Sequence, residues 1–175
     1  MNKIYESYVN IVNEYNIREL KDDLTLDIIK KKYSWILDAK IKDAILGQDK
    51  NGLVWYNGIW IDGIWVDGTW WGGYWEYGYW ERGIWCAGIW QDGVWVNGTW
   101  KGGTWKDGTW TNGTWKSGSW YNGTLFTGTW YNGTWKDGEW WYGLWKGGTW
   151  YNGTWKDGTW QNGLWKGGKG KPENA

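Results

Sequence analysis

The sequence predicts a mainly β repeat array preceded by a short α-helical segment. Three observations carry that expectation. Trp and Gly reach 25 and 30 of 175 residues, so one large ring takes the place that Leu, Ile, Val and Phe fill in an ordinary core. A five-residue period runs without insertion or deletion through the second part of the chain. The composition changes sharply near residue 50, dividing a helical attachment or capping segment (1–50) from the array (51–169), with residues 170–175 expected as a flexible tail.

In the first segment Ile4, Tyr5, Tyr8, Val9, Val12 and Tyr15 recur at helical spacing, predicting a helix over about 2–16. A second stripe, Leu26, Ile29, Tyr33, Ile36, Leu37, Ile41, Ala44 and Ile45, predicts a longer helix. Thr25 is placed as its N-cap, Asp27 lies in its first turn and Gly47 is its stop. So short a segment cannot bury two apolar stripes by itself, so both must pack on something else.

From Trp55 there are 23 five-residue units, in which the residue before Gly is mostly Asn, Asp or Gly and the residue after it mostly Thr, Ile or Val. Gly fills every fifth position from Gly58 to Gly168, and Trp every fifth from Trp55 to Trp165 except at Leu125. Units this short bury nothing alone and are stable only by stacking. Asn-Gly and Asp-Gly between β-favouring residues are strong hairpin signals, because a type I′ turn needs positive φ at both central residues. Turn glycines such as Gly58, Gly98, Gly133 and Gly158 then alternate with three-residue strands in an antiparallel meander. Trp60, Trp65, Trp75, Trp100, Trp135 and Trp155 belong to a buried ladder on one face. Strand parity makes the true repeat ten, and Lys106, Lys116, Lys136, Lys146, Lys156 and Lys166 do alternate with Thr111, Tyr121, Tyr131, Trp141, Tyr151 and Gln161. One edge would carry Lys and the other Tyr and Gln. The Trp-x-Asn-Gly-x-Trp segment resembles tryptophan-zipper hairpins, and the arrangement is similar in architecture to MORN repeats.

The alternative is a right-handed square β-solenoid with four units per coil, which resembles the pentapeptide-repeat proteins, Gly and Trp taking that family's two inward positions. Residues 150–169 match 130–149 at 16 of 20 positions, which suits a 20-residue coil. Against it, an inward small site should accept Ala or Ser somewhere, whereas a positive-φ requirement explains why only Gly occurs. The two differ in length: a ribbon of about 110 Å against a coil stack of about 28 Å.

A one-sided Trp ribbon would expose far more aromatic surface than a soluble monomer tolerates, so the ladder must be closed by coiling or assembly. The early flanking residues Ile59, Ile61, Ile64, Val66, Ile84, Ile89, Val94 and Val96 make a second apolar face. The N-terminal helices are expected to fold back over roughly the first nine units and cover it, a partner being the alternative.

Chemistry is thinly represented. There is no His, the only Cys is Cys86, and the array's carboxylates sit mostly at turns, so no catalytic group, cofactor or metal is expected, and no enzyme. No apolar run is long enough for a signal peptide or a spanning helix, so neither classical secretion nor a membrane role is expected, and the expected location is a reducing cytoplasm or a particle assembled there. Net charge is zero, but residues 55–100 hold one Arg against five carboxylates and 101–171 hold nine Lys against four. Candidate ligand contacts are Tyr121, Tyr131, Tyr151, Trp71 and Trp141, which suit stacking on sugar rings, with Lys136 and Lys156 beside them. A Lys/Tyr edge also suits single-stranded nucleic acid, a weaker expectation for a neutral chain.

A helical N-terminus followed by Trp-x-x-Gly-Thr units resembles the Trp-rich repeat proteins of bacteriophages, tail- and fibre-associated ones included. The resemblance implies a non-enzymatic structural virion component, a rigid β spacer or decoration assembling through protein partners or with itself.

Overall fold

The computed structural model describes residues 15–175. The array is a β-solenoid of stacked parallel coils, three units to the coil. Each strand pairs in parallel with the strand fifteen residues on: Thr99 and Trp100 with Thr114 and Trp115, Thr104 and Trp105 with Ser119 and Trp120, Val94 and Trp95 with Thr109 and Trp110. After β3 (Gly52–Asp62), two-residue strands recur every five residues from β4 (Ile64–Trp65) to β24 (Leu164–Trp165). Along each face the rungs are joined by backbone bonds that recur in every unit, as where Thr114 N donates to Gly98 O at 2.9 Å and Lys116 N to Trp100 O at 2.8 Å.

The antiparallel meander is therefore overturned, and the solenoid alternative holds with three units per coil instead of four. Glycine geometry shows why the chain turns a corner and does not reverse. The glycines at every fifth position from Gly58 to Gly168 have φ between 101° and 136°, but the Asn or Asp before them does not share the positive φ, which a type I′ turn needs at both central residues. Asn and Asp before them serve the corner by accepting the next N–H: Gly58 N donates to Asn57 Oδ1 at 2.8 Å, Gly98 N to Asn97 Oδ1 at 2.8 Å, Gly133 N to Asn132 Oδ1 at 2.8 Å and Gly158 N to Asp157 Oδ1 at 2.6 Å. The expectation that positive φ selects glycine is met, although in a different turn.

Side chains alternate across each short strand, so Trp points inward and its neighbours outward. The tryptophans stand in three interior columns. One runs from Trp55 to Trp160, one from Trp60 to Trp165, and the third from Trp65 to Trp155 with Leu125 in place of a ring. Within a column successive rings stack with centroids 4.5–5.1 Å apart and planes 4–7° from parallel. Between columns each ring meets the next edge to face at 5.7–6.1 Å and 69–79°. Every Trp of the columns up to Trp160 is buried, and Trp165 is partly so. Three columns enclosing one axis replace the single ladder face, and they close the aromatic surface within one chain.

The N-terminal segment caps the first coil. β1 (Ile17–Leu20) pairs in parallel with β2 (Lys40–Asp49), which runs antiparallel along β3 and so covers the open rim of two sides. On the third side a 3₁₀ turn, Ser34–Leu37, packs against β4 and sets Trp35 edge to face with Trp65, their ring centroids 5.1 Å apart. Only Leu26–Lys32 of the expected longer helix is helical (α1), with Thr25 capping it as expected and Leu26 and Ile29 buried. The stripe continues as strand because an open parallel rim needs a paired edge, a tertiary demand that overrides local spacing. The helix expected at about 2–16 lies outside the described residues, apart from Tyr15 in a turn before Asn16 (φ 54°). The described part of the segment does not lie over the first nine units: Ile64 is 52% exposed, and Tyr79 and Ile89 are exposed too. At the other end, Lys169 N donates to Gly153 O at 2.8 Å, and residues 170–175 cross the last coil, where Ala175 packs on the core.

Candidate functional site

The array's outer surface is ruled into columns, because every residue lies over its counterpart fifteen residues away. Fifteen residues make three units, an odd number, so the ten-residue sequence alternation becomes an alternation along each column. On one face Tyr131 lies between Lys116 and Lys146, whose ammonium groups stand 4.2 and 4.4 Å from its ring centroid. On the next, Lys106 stands over Tyr121 at 4.3 Å, and Lys136 and Lys166 flank Tyr151 at 4.6 and 4.3 Å. On the third, Phe126, Trp141 and Lys156 follow one another, with the two ring centroids 5.6 Å apart and Lys156 Nζ 5.7 Å from the indole. Trp141 Nε1 also donates to Glu139 Oε2 at 3.0 Å.

Physically this is like-charge avoidance combined with cation–π attraction. A four-unit coil would have put Lys116, Lys136 and Lys156 in one column at about 4.8 Å spacing. The three-unit coil gives each of these ammonium groups an aromatic face, worth about 0.5–1 kcal/mol at exposed sites. Lys and Tyr therefore share columns, and the expected segregation into a Lys edge and a Tyr/Gln edge is overturned. The 16-of-20 match reflects two ten-residue periods, with no 20-residue coil behind it.

Corners carry a second set of columns. Asn122 Nδ2 donates to Asp107 Oδ2 and Asn152 Nδ2 to Asp137 Oδ2, both at 3.0 Å, and Arg82 Nε donates to Asp67 Oδ2 at 3.0 Å. These fifteen-residue Asp-to-Asn and Asp-to-Arg spacings were the sequence signal that would have disclosed the coil length.

The proposed ligand contacts thus fall on different faces. Tyr121, Lys136 and Tyr151 share one; Trp71 and Tyr131 lie on a second but sixty residues apart; Trp141 and Lys156 lie on the third. A sugar stacking on Tyr131 or Tyr151 would have to displace two ammonium groups. Trp71, 53% exposed, is the widest open ring among them.

The interior has its own chemistry. Nineteen indole N–H groups, from Trp55 to Trp150, are buried without a hydrogen-bond acceptor among the described residues. Edge-to-face packing gives ring edges a neighbouring π face in place of an oxygen. Cys86 lies half-buried in the column of Trp71 and Lys101; burial pushes its thiol pKa up, only partly offset by Lys101. At the C-terminal end a cavity of about 470 Å³ lies between the last coil and the tail, lined by Trp155, Asp157, Trp160 and Gly170–Asn174. Among the described residues no three His, Cys, Asp or Glu side chains cluster as a metal site would need, and no helix is long and apolar enough to cross a membrane. Compared with known proteins, the chain matches no family model, no curated sequence and no solved structure.

Proposed function

We propose that the protein is a non-enzymatic structural component of a phage virion, a short stiff β rod associated with the tail or its fibres. The observation that carries this reading is the uninterrupted stacked core. Bending the rod would open stacked indole pairs worth about 0.5–1.5 kcal/mol each, in three columns at once. The polar ladders on the outside cover the rod with paired groups, and the N-terminal segment closes one end, the place from which it attaches. The sequence resemblance to phage Trp-rich repeat proteins supplies the setting.

The test is to separate purified particles into head, tail and fibre fractions and quantify the protein in each by mass spectrometry. The reading expects a fixed copy number per particle, concentrated with the tail or fibres. Its presence in infected-cell lysate but absence from the particles would overturn it.

A further inference from the structure

We propose that the tryptophan core conducts oxidising equivalents: an electron hole made in one indole migrates along the columns and emerges at the C-terminal end. This goes beyond the rod and does not depend on its place in a particle. Three observations converge on it. The rings are in face-to-face contact at 4.5–5.1 Å, the arrangement in which π orbitals of neighbouring donors overlap. They are chemically identical and nearly all fully buried, so successive sites differ little in energy. Nineteen of their N–H groups face no acceptor among the described residues, so a radical cation formed there has no base to take its proton and cannot be trapped as the neutral radical.

The path has a direction. Trp155 and Trp160 are 5% and 4% exposed and Trp165 more so, whereas the N-terminal rings lie under the cap. Water at the C-terminal end stabilises the cation and accepts its proton. The step balances as follows. A one-electron oxidant takes one electron from an indole, giving the reduced oxidant and an indole radical cation. Each neighbour then gives up an electron to refill the last. At Trp165 the Nε1 proton passes to water, leaving a neutral indolyl radical, and a hydrogen-atom donor of the ascorbate class restores the indole. Leu125 interrupts the third column only, and the edge-to-face contacts at 5.7–6.1 Å let the hole change column around it.

The test tethers a ruthenium tris-diimine complex to Cys86 of the full chain and oxidises it to ruthenium(III) by a flash with a cobalt(III) ammine quencher. Products are mapped by mass spectrometry and radicals followed by transient absorption. In the natural chain oxidation should appear at Trp160 and Trp165, far from Cys86, with the radical cation preceding the neutral radical. Replacing Trp130→Leu and Trp135→Leu empties one layer of all rings beside Leu125, a residue whose own position shows that leucine fits there. In that variant, with its fold checked by its thermal transition, far-end oxidation should fall to the unflashed level, and Leu125→Trp should raise the natural yield. Oxidation confined in the natural chain to rings around Cys86 would overturn the proposal. Equal end oxidation in the leucine-layer variant would overturn it too, since it would mean direct attack from solution.

Discussion

Glycine at the corner of each unit answers two demands together. At Gly133 the φ of 121° is closed to a residue with a Cβ, and a Cβ built there would lie 2.5 Å from Gly118 O in the coil below. Gly133→Ala is therefore expected to destabilise the protein by at least about 1–3 kcal/mol from backbone strain alone. At Gly102 φ is ordinary and the nearest atom, Cys86 O, is 3.6 Å away, so Gly102→Ala should be nearly neutral. Equilibrium unfolding of the two variants checks the contrast. In the cap, Tyr56 OH donates to Asp22 Oδ2 at 2.6 Å. That bond, then burial and the charge of Asp22 raise the phenol above its usual 10.0. Since the folded value exceeds the unfolded one, the bond's contribution is complete below pH 10 and is lost as pH rises through the folded pKa. Tyr56→Phe should flatten this alkaline loss in a pH series of thermal midpoints.

At the scale of strands and columns, the surface is held by pairs one coil apart. Tyr131→Lys would put a third ammonium group between those of Lys116 and Lys146, with no ring left to separate them. It should cost about 1–2 kcal/mol for two lost cation–π contacts, with the added repulsion relieved by salt. Unfolding at low and high ionic strength reads both parts. The same column explains what the sequence disclosed. The buried Trp series and the positive-φ glycines were legible, because burial and backbone sterics act residue by residue. The Lys/Tyr alternation was visible as well, but its meaning depends on which residues become neighbours. The same ten-residue period fits strands paired at five, and only a coil with an odd number of units turns it into alternation along a column. Ile41 and Ile45 kept helical spacing yet became strand, because the rim they close exists only after the array has coiled.

For the whole molecule, seven rises from Trp55 to Trp160 make a core about 34 Å long, between the two lengths expected from the sequence. The coils are near-equivalent, so the length should be adjustable in whole coils. Deleting residues 106–135 joins Trp105 to Lys136, preserves the unit and places Lys136 where Lys106 stood, beneath Tyr151. The shortened chain should fold cooperatively and be about 10 Å shorter by solution scattering. The caps would be unchanged, with β2 sealing one end and the tail crossing the other.

The central claim is the fifteen-residue coil, and disulfide trapping measures it most directly. In a Cys86→Ser background, Lys116→Cys paired with Tyr131→Cys lies on adjacent parallel rungs, within the Cα range a disulfide spans. Lys116→Cys paired with Lys136→Cys lies on different faces. Under mild oxidation the first pair should close within the monomer, rapidly and without loss of fold, while the second stays reduced. Closure of the second pair with failure of the first would contradict the three-unit solenoid.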